Sequence, residues 1–360
     1  KSTARVIKLD PSATEDQHFD LLGLLNSSAV CFWLKQVSHN KGSTVDSRGA
    51  RQTLEPWEDF YQFTSTKVEN VPVPPGNSAR RASRLDALAE QLKQCSPSVV
   101  LGQLLQGKLS LKQAQEDWRL VLASMVFEQE ELDWEVYARY GLVDNKLLYA
   151  GEPIPVVTGQ RVFEILLARK YLSGEATPAW FTRHGSLKVS DVPVEWPDDY
   201  RMLARQRLDL IESDPMIRLL EQPEYKRRWA TTSWESQLRE AVIYFILDRL
   251  ESRELWTDDR GRPVIRSVAQ LAEAVKNDAD LRSALVLLTG DNGVNTQNAI
   301  TSLIADEAVP AAAPQRYKPS GLTKFREWQK VWDLQRAEDR GERVTIPVPP
   351  KYAQADFART

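Results

Sequence analysis

The sequence is dominated by apolar residues spaced three or four positions apart, the repeat of an α-helix that buries one face. The repeat is most regular over Trp234–Leu250, where one stripe contains Trp234, Leu238, Ala241, Val242, Phe245, Ile246 and Leu250. The same spacing predicts helices over 161–172, 200–220, 267–275, 280–288, 296–308 and 322–337. Such helices are stable when their apolar faces pack together, so the pattern predicts a mainly α fold.

Two more amphipathic helices are predicted before this region. Ser78 can cap the first, which carries apolar residues at Leu85, Leu88 and Leu92. The second is longer and ends at Gly141, a residue type that commonly terminates helices. We expect spacer helices over 77–150, a helical domain over 151–310, and a C-terminal helix with a Pro-rich tail over 311–360.

The first 76 residues are predicted to form a small α+β segment. A strand-like pattern over 4–9 precedes an apolar helix over 16–36, which Asn26-Ser27-Ser28 can break because such side chains bond their own backbone. Short strands are expected over 60–63 and 68–73, followed by a proline-rich turn. The predicted fold class is therefore mainly α with a small α+β segment at the N-terminus, followed by a helical C-terminal lobe.

Composition excludes several classes of protein. The formal net charge of -3 gives no overall field for or against nucleic acid. The two cysteines, Cys31 and Cys95, lie in helical patterns, which argues against a disulfide framework or zinc cluster and fits a cytoplasmic protein. No apolar run reaches the roughly 18–20 residues that span a bilayer. Because the chain starts at Lys1 and stops at Thr360 without a closing helix, we expect sequence to be missing on both sides.

A search for catalytic chemistry assigns no catalytic, cofactor-binding or metal-ligating residue. No glycine-rich loop joins a strand to a helix, and the histidines lie too far apart in sequence for metal-ligand spacing: His18, His39 and His184. Acidic pairs are expected at helix starts or in turns, where the helix dipole and turn hydrogen bonds favour carboxylates. These pairs are Glu130-Glu131, Asp198-Asp199 and Asp258-Asp259.

A polar stretch over 35–51 and an arginine-rich helix start are candidates for DNA contact. Lys and Arg neutralise phosphates, and Asn, Gln and Arg hydrogen-bond base edges, each good pair discriminating by about 1–3 kcal/mol. The predicted DNA-binding residues are Lys35, Gln36, Ser38, His39, Asn40, Lys41, Ser43, Arg48, Arg51, Lys67, Arg80, Arg81 and Arg84. A solvated loop and a solvated helix face are the alternatives that these residues leave open.

A second basic run, at 226–228, lies beside tryptophans. We expect it to pair with Glu221 or Glu224 rather than to contact the duplex backbone. Most of the eleven tryptophans fall at helical stripe positions, so packing is their expected role. Trp57, in the polar region, is the tryptophan to test for a role in DNA binding.

Several strings resemble DNA methyltransferases. Four features follow the order found at the end of a target recognition domain in type I specificity subunits and fused restriction-modification methylases. They are LLGLLNSSAVCFWLK (21–35), a Lys-Gly loop (41–42), TKVENVPVPP (66–75) and the arginine-rich helix. ELDWEVYARYGL (131–142) resembles a helix end of fused type II methyltransferases. Residues 1–76 are therefore identified as the end of a target recognition domain.

Nearly the whole chain is similar to the C-terminal part of the adenine-specific DNA methyltransferases of bacteriophage exclusion (BREX) and phage growth limitation systems. The matching strings are FWLKQVSHNKG (32–42), IRLLEQPEYKRRWATTSWESQL (217–238), WQKVWDLQRAED (328–339) and IPVPPKY (346–352). The resemblance implies double-stranded DNA as a partner and S-adenosylmethionine as cofactor of the parent protein.

The resemblance also implies that the catalytic domain, with its base-holding Asn/Asp-Pro-Pro-Tyr/Phe tetrapeptide, precedes this region. That tetrapeptide is absent from the sequence, so whether this segment is itself an enzyme stays open. Two alternatives to DNA recognition also stay open. The segment can be a scaffold that docks the methyltransferase to other phage-defence proteins, or a separate type I-like specificity subunit.

Overall fold

A computed structural model describes residues 7–38, 61–229, 232–304 and 317–357, and these residues form a mainly helical protein, as predicted. Within them, the β structure amounts to isolated bridges such as Thr257 with Pro263. In chain order the α-helices are α1 Glu15–Leu25, α2 Ser28–Val37, α3 Ser65–Glu69, α4 Ala79–Gln94, α5 Pro97–Leu105, α6 Leu111–Arg139, α7 Val162–Leu172, α8 Ala179–His184, α9 Asp198–Ser213, α10 Pro215–Leu220, α11 Trp234–Leu250, α12 Arg253–Trp256, α13 Val268–Val275, α14 Ala279–Thr289, α15 Thr296–Leu303 and α16 Pro319–Asp339.

The chain divides into two compact units. Unit 1 contains residues 1–96 and 112–232, and unit 2 contains residues 97–111 and 233–360. The boundaries predicted near residues 76 and 150 both lie inside unit 1. No helix among the described residues combines the length and apolar content needed to cross a lipid bilayer.

The α+β character predicted for residues 1–76 is not shown, because the described part of this segment contains helices α1 to α3 and no strand. The expected strand over 68–73 is replaced by α3, Ser65–Glu69, and by an irregular turn. Val68 and Val71 are three residues apart, which fits a helical turn as well as a strand, and the prolines after them cannot donate ladder hydrogen bonds. Residues 4–6 and 60, which belong to the other predicted strands, lie outside the described residues.

The predicted break at Asn26-Ser27-Ser28 is confirmed, since it separates α1 from α2. The Ser27 hydroxyl accepts a hydrogen bond from the Val30 amide at 3.3 Å and so caps α2. Thr14 caps α1 with a capping box that includes Gln17. The two short helices therefore have separate start signals in the sequence.

The core of unit 1 is organised around α6. Its second half is buried on nearly every side, with Phe127, Leu132, Trp134, Val136 and Tyr137 contributing to one apolar cluster. The other helices that pack in this unit include α1 on α4 and α7 on α9. Burial of an aromatic or aliphatic side chain contributes about 1.5–3 kcal/mol, so α6 is the main support of the unit.

The core of unit 2 is organised around α11, whose predicted stripe is confirmed. Val242, Ile246 and Leu250 are buried, and α11 packs on α5 and α14. At the start of α16, ring centroids 5.2 to 5.6 Å apart join Tyr317, Phe325, Tyr352 and Phe357. This aromatic cluster fixes the C-terminal segment against α16.

Candidate nucleic-acid interface

The carboxyl end of α2 meets two other segments of unit 1 on an exposed surface. The Lys35 ammonium donates a hydrogen bond to the Glu224 carbonyl oxygen and lies 5.6 Å from the ring centroids of both Tyr61 and Tyr225. The Gln36 amide donates to the Tyr225 hydroxyl at 3.3 Å. We call this the α2 surface and define it by Lys35, Gln36, Tyr61, Phe63, Tyr225, Arg227 and Arg228.

Aromatic rings form one part of the α2 surface. Tyr61 and Phe63 stack with centroids 6.2 Å apart and an interplanar angle of 10°, and they are 38% and 46% exposed. Phe32 supports the ring of Tyr225 edge-on at 5.1 Å. Exposed aromatic faces of this kind can stack with unpaired bases. Sequence reasoning missed these rings because the alternation over 60–63 was interpreted as an ordinary strand.

The basic run at 226–228 has one buried side chain and two exposed ones. Lys226 is buried and forms a 2.8 Å salt bridge with Glu221, which confirms the predicted pairing. Trp229 and Trp234 are buried, also as predicted. Arg227 and Arg228 are exposed, and the Arg227 guanidinium also lies 4.9 Å from the Trp229 ring centroid and donates to the Asn26 side-chain oxygen at 3.4 Å.

The predicted DNA-binding residues are brought together only in part. Lys35 and Gln36 lie on the α2 surface, Ser38 is buried at the end of α2, and Lys67 is half-buried on α3. Several predicted contacts, together with Trp57, lie outside the described residues: His39, Asn40, Lys41, Ser43, Arg48 and Arg51. They remain predictions.

The three arginines at the start of α4 have different environments. Arg80 is exposed. Arg81 is buried and pairs with Glu128 at 3.0 Å and Glu135 at 2.9 Å, whereas Arg84 is half-exposed and pairs with Glu128 at 2.9 Å. Because its guanidinium is enclosed and matched by two carboxylates, Arg81 cannot reach a duplex, and we exclude it from the proposed interface.

Buried carboxylates on α6 contact both the α2 side of unit 1 and the start of α4. The expectation that Glu130-Glu131 lies at a helix start or in a turn is wrong, because both residues are buried in the middle of α6. Buried carboxylates are stable only with partners, and here the partners come from distant parts of the chain. The other two acidic pairs conform to the expectation, with Asp198-Asp199 in the first turn of α9 and Asp258 in a turn.

Glu131 forms a two-pronged salt bridge with Arg207 of α9. The oxygen–nitrogen distances are 2.6 and 2.8 Å, and both side chains are fully buried. The Tyr200 hydroxyl donates a further hydrogen bond to Glu131 at 3.1 Å. Burial alone would raise the pKa of Glu131, but the Arg207 guanidinium, together with Arg81 and the Tyr200 hydroxyl, outweighs burial and holds the pKa below its usual value.

Lys226 is surrounded by three buried carboxylates. Its ammonium lies 2.8 Å from Glu221, 2.9 Å from Asp133 and 3.6 Å from Glu130. Burial raises the pKa of Glu221 to about 6, because the attraction of Lys226 offsets burial only in part and the Glu130 carboxylate adds repulsion. Three carboxylates around one ammonium therefore leave Glu221 able to hold a proton in mildly acidic solution.

Two motifs named in the sequence contact each other. Arg139, in the ELDWEVYARYGL string, pairs with Asp20 at 2.7 Å and donates to the carbonyl oxygen of Pro74 at 3.1 Å. The Tyr140 hydroxyl donates to the Pro72 carbonyl oxygen at 2.6 Å. The end of α6 therefore holds the proline-rich turn that follows α3.

The described residues contain no cluster of His, Cys, Asp and Glu side chains suited to a metal ion. His18 bonds the carbonyl oxygen of Thr14, the N-cap of α1, at 2.9 Å, and His184 contacts the Trp180 ring edge-on at the end of α8. Their roles are local contacts. The third histidine, His39, lies outside the described residues.

Comparisons with known proteins give one family and one curated relative. Residues 125–360 match the model of a domain of unknown function, DUF7008. The chain is 43% identical over 371 aligned residues to the adenine-specific methyltransferase PglX of Streptomyces coelicolor. The alignment covers 99% of this chain and 30% of that relative, so the chain spans about a third of the relative's length. No solved structure matches the chain.

Proposed function

We propose that this chain, which belongs to the DUF7008 family, is the DNA-recognition, C-terminal region of an adenine-specific DNA methyltransferase of a phage-defence system. The proposal draws its enzyme class from the methyltransferase PglX, to which the chain is 43% identical. The catalytic domain and its S-adenosylmethionine site belong, on this proposal, to another part of the parent protein. The partner of this region is double-stranded DNA in the cytoplasm.

The observation that carries the proposal is the α2 surface. Arg227 and Arg228 are exposed cations that can neutralise phosphates, and Gln36 has the amide group that reads base edges. Tyr61 and Phe63 add a stacked aromatic face, and the Tyr61 ring lies beside Lys35. Adenine methylation requires a base to leave the duplex stack, and rings of this kind stabilise unpaired bases or their neighbours.

The ion pairs behind the α2 surface give it a rigid base. Lys226 points inward to its three carboxylates, whereas the neighbouring Arg227 and Arg228 are exposed. Asp133 accepts hydrogen bonds from the first residue of α2, Ser28. Preorganised supports of this kind reduce the cost of ordering a binding surface when the ligand arrives.

A photocrosslinking experiment tests the proposal. A benzophenone amino acid replaces Phe63 in the 360-residue chain, and a control variant carries it at Tyr244, an aromatic position of α11 in unit 2 that is more exposed than Phe63. We expect light-dependent crosslinks to labelled duplex DNA from position 63 and not from position 244. Equal crosslinking from both positions, or none from position 63, would contradict the assignment.

The predicted loop contacts need a separate test in the parent enzyme. Replacing Lys35, Lys41, Arg48 and Arg51 together by Ala is expected to weaken DNA binding and flatten its dependence on salt. A quadruple variant that binds and methylates its site like the unmodified enzyme would remove this loop from the interface.

A further inference from the structure

A groove on unit 2 lies between an extended segment and one face of α16. Residues 263–265 form one wall, and α16 forms the other from Phe325 to Arg336, enclosing about 490 Å³. The lining positions on α16 recur at successive turns and extend over about 16 Å of helix length. The groove is therefore long enough to hold several residues of an extended or helical peptide.

The floor of the groove is apolar. Val264 and Ile265 face it from one wall, and Trp328 and Trp332 from the other. The Trp328 indole N–H donates to the Pro350 carbonyl oxygen at 2.9 Å. This hydrogen bond fixes the ring and satisfies the one polar group of the side chain. Trp332 is 44% exposed and continues the apolar floor to the surface, so the groove presents a contiguous apolar patch of the kind that marks binding sites.

The rim of the groove is positively charged. Arg326 and Lys330 are exposed, and no carboxylate of the described residues lies within salt-bridge distance of either. Arg336 is already paired with Asp333 at 2.6 Å. The groove therefore offers two uncompensated cations one helical turn apart, beside an apolar floor.

We propose that this groove binds a segment of a partner protein that combines apolar side chains with carboxylates. The apolar side chains enter between Ile265 and Trp332, and the carboxylates pair with Arg326 and Lys330. An apolar floor does not suit a DNA backbone, since protein–DNA interfaces are more polar and more positively charged than protein–protein interfaces. An amphipathic peptide in a hydrophobic groove uses both features of this site. The inference is independent of the α2 surface, which lies in unit 1.

Binding of two designed peptides to the 360-residue chain tests the inference. Each fluorescein-labelled peptide has about 12 residues, with leucines at helical spacing. One carries Glu at the flanking positions, and the other carries Lys there. We expect the Glu peptide to bind about tenfold more tightly than the Lys peptide at low salt, measured by fluorescence anisotropy.

Variants locate the binding. Arg326→Glu with Lys330→Glu is expected to reverse the preference between the two peptides, a result that requires a folded groove. Trp332→Ala should weaken both peptides, and the control Arg239→Glu, an exposed arginine of α11 outside the groove, should change neither.

Two results would overturn the inference. One is equal binding of the Glu and Lys peptides. The other is displacement of the Glu peptide by a short DNA duplex whose own binding is lost in the Arg326→Glu, Lys330→Glu variant, because the groove would then be a nucleic-acid site.

Discussion

Asp133 accepts two hydrogen bonds from Ser28, one from its backbone amide at 2.8 Å and one from its hydroxyl at 2.6 Å. The same carboxylate lies 2.9 Å from the Lys226 ammonium. One buried acid of α6 therefore connects the first residue of α2 to the run that presents Arg227 and Arg228. The position of the proposed DNA-binding surface depends on this connection.

Loss of the Glu131 charge should destabilise unit 1 severely. Glu131→Gln leaves Arg207 buried without a full counter-charge, which typically costs about 3–5 kcal/mol. The matched control is Glu116→Gln on the same helix, which breaks an exposed pair with Arg119 and should leave stability almost unchanged. Chemical denaturation followed by circular dichroism measures both, and similar losses would show that the buried pair has no special role.

These ion pairs mark the limit of what the sequence could predict. The α11 stripe and the helix break at Asn26-Ser27-Ser28 were predictable because a residue and its neighbours a few positions away contain the signal. Glu131 was misplaced because its partner, Arg207, is 76 residues away in the chain. A carboxylate with no visible partner is reasonably expected at the surface, and only the tertiary fold supplies the cation.

The α2 surface was predictable to a similar extent. Lys35 and Gln36 were identified from local polarity, and the pairing of Lys226 with Glu221 from their short separation. Tyr61 and Tyr225 were missed, because their proximity to Lys35 arises from packing between segments distant in sequence. A single sequence contains no signal for tertiary contacts between distant segments.

Glu221 should make stability depend on pH. Its pKa in the folded protein is about 6, above the ordinary value of 4.5, so between these values the folded state holds a proton that the unfolded chain has released. The stability contributed by this proton is present below about pH 4.5 and is lost as pH rises to about 6, a change of about 2 kcal/mol.

The measurement for Glu221 is the difference in unfolding free energy between the unmodified chain and Glu221→Gln across this pH range. Gln cannot titrate, so the unmodified chain should lose about 2 kcal/mol of stability relative to the Glu221→Gln variant as pH rises. Glu131 has a lowered pKa, so its own stabilising contribution is lost as pH falls through that value, in the opposite direction. A difference in unfolding free energy that stays constant with pH would contradict the raised pKa of Glu221.

Neighbouring arginines of α4 should separate stability from DNA binding. Arg81→Gln removes a buried partner of Glu128 and Glu135 and is expected to cost about 3 kcal/mol of stability. Arg80→Gln changes an exposed side chain and should leave stability within about 0.5 kcal/mol while weakening duplex affinity. Thermal unfolding and anisotropy with labelled duplex measure the two effects, and the reverse pattern would be inconsistent with the structure.

The most direct test of the DNA-binding claim is the salt dependence of duplex affinity for the Arg227→Gln, Arg228→Gln variant. Loss of two phosphate contacts should reduce the slope of log affinity against log salt by about 2. The control is Arg239→Gln with Arg253→Gln, two exposed arginines of unit 2, and it should retain the full slope. An unchanged slope in the Arg227, Arg228 variant would contradict the assignment of the α2 surface to DNA.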